Sequence, residues 1–168
     1  MISIIEFQSK YAGDFKQLNL EWLDKFGLTE AADLLMLNNP QNEIIDKGGC
    51  IFLAMFRKQV VGSAALISET QGVYELAKMA VIPAFRGKGI SKLLIETCLI
   101  KAKKLDAVRI YLSSNSQLTT ALKLYEKYGF KYIVVKDTHY ATADIMMELL
   151  LPVSTLGLED FATKSIAT

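Results

Sequence analysis

The chain has 168 residues, 51% of them apolar, with 19 Lys plus Arg against 18 Asp plus Glu for a net charge of +1. That length suits one domain with its own core; the balanced charge leaves no electrostatic footprint for nucleic acid, and no apolar run approaches the ~18 residues of a membrane span. The start of the chain lacks a secretion signal, and Cys50 and Cys98 lack metal-ligand spacing, so both read as reduced, buried thiols of a cytoplasmic protein.

Residues 2–7 read as a short strand. Asp14 leads a helix whose Phe15, Leu18, Trp22, Leu23 and Phe26 share one face, with Gly27 as its stop. Thr29 is the expected cap of a second helix running to Leu37, ended by Asn38-Asn39-Pro40, and one more turn is expected over residues 43–46. This region carries Glu21, Asp24, Glu30, Asp33, Glu43 and Asp46 against Lys25. Such an acidic face reads as solvated helix surface, or as the border of a site for a cationic amine.

Residues 50–56 and 60–67 are strands joined by the polar turn 57–59, and residues 68–72 turn the chain into a third strand, 73–82. This is an antiparallel meander, unlike the alternation of a doubly wound sheet. A helix follows, with Ile90, Leu93, Leu94, Thr97, Cys98, Ala102 and Leu105 on one face. Residues 108–112 then form a strand parallel to the one before the helix. The crossover sets the intervening turn at the carboxyl end of a sheet, where ligands tend to bind.

Residues 113–116 are rich in capping side chains. The next helix carries Leu118, Ala121, Leu122 and Tyr125 on one face and ends at Tyr128-Gly129-Phe130. Two last strands, 131–136 and 144–150, are joined by a polar loop holding His139 and Tyr140. A single domain over residues 1–151 and a loosely held tail over residues 152–168 are expected.

The turn of residues 83–89 holds the chemistry. Gly87 and Gly89 let the backbone curl so that successive N–H groups converge, the following helix adds its N-terminal dipole, and Arg86, Lys88 and Lys92 add charge. A solvated basic turn would look the same. A P-loop needs a different glycine spacing, and a dinucleotide fingerprint needs glycine where Lys92 stands. What fits is Arg86-Gly87-Lys88-Gly89-Ile90-Ser91, behind the apolar lead-in Met79-Ala80-Val81-Ile82-Pro83. It resembles the pyrophosphate loop of the GNAT superfamily of acetyl-CoA-dependent N-acyltransferases, with Ser91 where the family more often has glycine or alanine. A second block, Asn115, Ala121, Tyr125 and Tyr128-Gly129-Phe130, resembles the same family, and the likeness spans residues 50–150.

The resemblance implies a mixed α/β (α+β) domain of GNAT type: a central, mostly antiparallel sheet of about seven strands with helices on both faces. It implies acetyl-CoA as cosubstrate and no metal. The N–H groups of Arg86, Gly87, Lys88, Gly89, Ile90 and Ser91 would take the pyrophosphate, and main-chain groups of Met79, Ala80 and Val81 the pantetheine arm. Asn115 stands where the family contacts that arm, or simply caps a helix. Tyr125 matches the acid that protonates the leaving thiolate, its alternative being a core aromatic; Tyr128 is expected against the sheet. Glu75 lies near a family glutamate that removes the amine proton through water, or is a solvent-side strand carboxylate. His139 is an alternative base or incidental. The implied reaction is direct acetyl transfer to a primary amine of a small molecule, with nucleic acid and membrane excluded as partners. A catalytically silent acyl-CoA-binding module and an acetyltransferase of protein N-termini or lysines remain alternatives. Homodimer pairing through apolar surface near the last strands is compatible with the sequence.

Overall fold

The computed structural model describes residues 1–152; the expected tail otherwise lies outside the described residues. Strand β1 (Ile2–Glu6) is followed by a 3-10 turn and helix α1 (Ala12–Lys25), then α2 (Ala31–Asn38) and a π-helical turn, Gln41–Ile45. Strands β2 (Cys50–Phe56), β3 (Gln59–Ser68) and β4 (Val73–Val81) form the meander. Helix α3 (Ile90–Lys104) leads to β5 (Arg109–Ser114), α4 (Thr119–Lys127), β6 (Lys131–Ile133) and β7 (Ile145–Leu150). One seven-stranded sheet has the order β1-β2-β3-β4-β5-β7-β6, with β4 and β5 parallel and its other neighbours antiparallel.

Alternation along the strands feeds two cores. Phe15, Leu18 and Leu23 of α1 and Leu37 of α2 pack with Leu53, Ala65 and Ile67 on one face. Ile90, Leu94, Ile95, Cys98 and Ala102 of α3, with Leu122 and Tyr125 of α4, pack with Leu66, Leu76, Ile110 and Leu112 on the other. Gly62 brings α3 close to the sheet: a Cβ there would lie 3.0 Å from the Ala80 carbonyl oxygen and 3.2 Å from Leu94.

Several boundaries differ from the sequence reading. The N-cap of α2 is Glu30, not Thr29. The Thr29 hydroxyl instead donates to Asp24 at 2.5 Å, and the Glu30 N–H donates to the Asp33 carboxylate at 3.0 Å. β6 stops at Ile133, where its ladder with β7 ends at Met146, and β7 begins at Ile145. Tyr128 reaches across to α3, its hydroxyl donating to Glu96 at 2.7 Å.

Two irregularities shape the middle of the sheet. β4 and β5 pair only over Val73–Arg109, Tyr74–Ile110 and Glu75–Tyr111, so beyond Glu75 they part and leave a wedge with an open β4 edge. On its other side β4 carries a bulge: Ser63 faces Ala80 and Ala65 faces Ala77, which sets Lys78 and Met79 opposite Ala64 alone. Lys78 takes φ 53 there, the extra residue that a bulge inserts.

Candidate active site

The bulge decides which side chains enter the cleft. Glu75 and Ala77 already face α1, and the extra residue turns Lys78 toward the same side, so all three line one cleft. Ser113, Ser114 and Asn115 close it from β5 and the turn beyond, Trp22, Leu23 and Leu28 from α1 and its exit, Asp33 from α2, and Tyr140, Thr142 and Ala143 from the last loop. The cleft therefore sits where β4 and β5 part.

A buried polar chain holds the bulge. The Ser63 hydroxyl donates to the Lys78 carbonyl at 2.6 Å, Asn19 donates to the Ser63 hydroxyl at 3.0 Å, and the Trp22 indole donates to Asn19 at 3.2 Å. The Lys78 ammonium donates to Asp33 at 2.5 Å and to the Tyr140 hydroxyl at 3.4 Å. Asp33 and Lys78 are both buried, and in such a pair each ion is the other's replacement for water.

Glu75 is 1% exposed, not the solvent-side carboxylate that its strand position also allowed. Burial pushes its carboxyl up to about 7, Glu69 adds to the rise, and His139, Lys78 and the Tyr111 hydrogen bond oppose it. The Tyr111 hydroxyl donates to it at 3.4 Å. At neutral pH such a group is divided between acid and base, as proton-transfer chemistry requires.

At the other end of the wedge, Gly87 and Gly89 adopt φ 75 and 78. With Gly89 as the left-handed N-cap of α3, the turn curls around its own amides. The N–H groups of residues 87–92 have no hydrogen-bond partner among the described residues; the ladder starts with Leu93 donating to the Gly89 carbonyl at 3.2 Å. These donors and the helix dipole suit a polyanion such as a pyrophosphate. The Lys88 ammonium lies 4.9 Å from the Phe85 ring centroid. Arg86 is already engaged, donating to the Val81 carbonyl at 2.9 Å and to Glu21 at 3.0 Å; it braces the turn against α1.

The other residues singled out from the sequence are dispersed around this frame. Of the cofactor-arm trio, Ala80 is buried, with Met79 and Val81 half-buried beside it on the stretch of β4 that no longer pairs with β5. Ile90 is buried in the α3 core and Ser91 stands half-buried at the helix start. Asn115 donates to the Thr142 carbonyl at 2.8 Å and accepts the Gln117 N–H at 3.0 Å, so it pins the last loop and caps a turn. Tyr125 lies with Cys98 and Phe130 in the α3–α4 core, on the far side of the sheet from Glu75. Burial holds its phenol well above the ordinary range. The Tyr125 hydroxyl makes no hydrogen bond among the described residues, and its ring is buried. The lone His139 stands at the surface, 3.1 Å from Glu69.

Sequence reasoning missed Lys78, Ser63 and Asn19, gave Tyr140 a loop but no role, and held Asp33 only as one of six acidic residues that could border the acceptor site. One signal was present: Lys78 interrupts an otherwise apolar Leu76-Ala77-Met79-Ala80-Val81, as a polar residue delivered by a bulge would. Of the acidic helix residues, Asp33 alone lines the cleft. Glu30 accepts from Ala141 and Thr142 of the last loop, and Glu43 pairs with Lys47.

The family model for an acetyltransferase (GNAT) domain matches residues 47–132. The N-acetyltransferase YjgM of Escherichia coli (strain K12) is 34% identical over 89 residues, which is 51% of this chain and 53% of that protein, so the chain spans about half of that relative's length. In fold, the chain is similar to a GNAT-family acetyltransferase from Staphylococcus aureus, with a TM-score of 0.84 at 22% identity over 90% of this chain and 100% of the other. It is also similar to the PaiA N-acetyltransferase of Thermoplasma acidophilum solved with coenzyme A, with a TM-score of 0.71 at 18% identity over 90% and 99%.

Proposed function

Because this chain belongs to the GNAT acetyltransferase family, we propose that it transfers the acetyl group of acetyl-CoA directly to the primary amine of a small molecule. The observation that carries the reading is the wedge itself, with unpartnered N–H groups at one end and a buried carboxyl near neutrality at the other. The N–H groups of residues 87–92 hold the pyrophosphate, with Lys88 adding charge and Arg86 locking the turn. The open edge at Met79, Ala80 and Val81 pairs with the pantetheine arm as a further strand would. Glu75 takes the amine proton and Tyr125 gives one to the departing thiolate. The phenol, a weaker acid than a thiol, passes its proton as the C–S bond breaks and charge develops on the sulfur beside it. Trp22 and Tyr140 give the acceptor side aromatic faces and Glu75 a carboxyl without a matched cation, Asp33 being paired with Lys78, which supports a small amine as acceptor. We assign the protein to the cytoplasm, where its free thiols persist. Exposed Tyr132 and Val134 at β6 support pairing of two copies.

Thiol release from acetyl-CoA across amino acids, polyamines, aminoglycosides and short peptides, with CoA thermal shift alongside, tests this. Turnover with one small amine supports the proposal. Turnover with peptides alone replaces the acceptor class, and a shift without turnover across the panel points to a binding module. The cradle has its own test. Gly89 is left-handed at φ 78, which a β-branched residue adopts only with strain of about 1–3 kcal/mol. Gly89→Val is therefore expected to weaken CoA binding about tenfold or more by calorimetry, with far-UV circular dichroism unchanged.

A further inference from the structure

Acetyl transfer from a thioester to an ammonium has a proton left over. The ammonium loses two protons as it becomes an amide, the leaving thiolate takes one, and the other must reach water. Glu75 is 1% exposed, so it needs a path to hand that proton on.

The groups around Glu75 come from several elements. Lys78 shares its strand, Tyr111 faces it from β5, Asp33 and Tyr140 sit across the cleft, Glu69 stands in the β3–β4 turn and His139 in the β6–β7 loop. Lys78 is committed to Asp33 at 2.5 Å and to Tyr140 at 3.4 Å. The Tyr111 side chain is buried, so its hydroxyl offers no way out to water. Tyr140 is partly exposed, but its hydroxyl is taken up by the Lys78 ammonium; Glu69 and His139 reach both Glu75 and water. Ligand atoms of Glu69, Glu75 and His139 all lie within 4.8 Å of one another. His139 Nε2 is 3.1 Å from Glu69 Oε1, and their side chains are 50% and 24% exposed.

We propose that Glu69 and His139 are the proton exit of the site, relaying to bulk water the proton that Glu75 removes from the acceptor amine. This rests on the acetyl-transfer reading above. The Glu75 O–H bond breaks as the proton passes to the Glu69–His139 pair, a proton leaves the imidazole for water or buffer, and Glu75 returns to its carboxylate. The imidazole is half-exposed, and its two ring nitrogens let it take a proton on one side and release one on the other.

The test compares wild type with His139→Ala, His139→Gln and Glu69→Gln, using the acceptor that turns over, with and without added imidazole. His139→Ala is expected to lose about tenfold in kcat with both KM values unchanged, and imidazole is expected to restore most of the loss. Unchanged kcat in all three variants, or a loss that imidazole does not restore, overturns the relay. A second readout needs no turnover: 13C NMR titration of the Glu75 carboxyl in the full chain. Its midpoint is expected to rise by about half a unit or more in His139→Ala, which removes the imidazole that lowers it, and to fall in Glu69→Gln, which removes the carboxylate that raises it. Midpoints that stay put in both variants overturn the linkage. Absence of thiol release from wild type with every amine sinks the acetyl-transfer reading instead, and the NMR titration then decides the proton linkage by itself.

Discussion

Tyr125→Phe is expected to lower kcat about 100-fold, within the range general acid catalysis supplies, while acetyl-CoA affinity and melting temperature stay as in wild type. The stability half of this follows from packing. The ring is buried beside Phe130, with centroids 5.9 Å apart, and phenylalanine keeps that contact. The hydroxyl has no partner among the described residues, so none of their hydrogen bonds is lost. The catalytic half follows from the phenol staying protonated in this apolar setting. Steady-state kinetics paired with calorimetric CoA binding checks it. Equal loss of kcat and binding would make Tyr125 a packing residue, and unchanged kcat would remove it from the chemistry.

Glu75→Gln is expected to cost about 100-fold in kcat and to stabilise the protein above neutral pH. Wild-type kcat/KM for the acceptor should rise with pH through about 7, where Glu75 becomes able to accept a proton, and the variant should lose that limb. The stability effect has the opposite sense. The carboxyl titrates near 7 when folded against an ordinary 4.5, so the folded chain binds the proton more tightly than the unfolded chain does. Wild type keeps that benefit in full below pH 4.5 and loses it as pH rises through 7. About 3 kcal/mol is at stake, which glutamine does not forfeit. The melting temperature of Glu75→Gln should therefore gain on wild type by several degrees between pH 5 and pH 8. A constant difference across that range would contradict the burial argument.

The meander and α3 were legible because their apolar patterns leave few alternatives: 50–56 and 59–68 are runs too apolar for a surface and bounded by polar turns. The glycines of 87–89 were legible because left-handed backbone selects them. What escaped notice depends on partners far away in the chain. Val134 and Val135 are β-branched and read as strand, but β7 offers no register beyond Met146; the Lys136 N–H goes to the Met146 sulfur instead. Thr29 is the better cap by residue type, but its hydroxyl goes to Asp24, and the helix starts behind Glu30, whose N–H goes to Asp33. The Lys78 bulge is held by Ser63 and Asn19, 15 and 59 residues earlier, and no local pattern of β4 announces it. Glu75 stood in the sequence as either a base or a solvent-side strand carboxylate, and only its burial, with Tyr111 donating to it, distinguishes the two.

The three-pair seam between β4 and β5 also bears on how the molecule keeps its shape. With so short a ladder in the middle of the sheet, the joint between its halves falls largely to the shared core under α3, which packs on Leu66 and Leu76 on one side and on Ile110 and Leu112 on the other. A ligand arm lying along the open edge of β4 then acts as a removable crosslink. Its concentration over its dissociation constant enters the folding equilibrium directly, contributing about 2.7 kcal/mol at a hundredfold excess. Persistence of the chain, and its resistance to proteolysis, would in that way track the supply of its own cosubstrate.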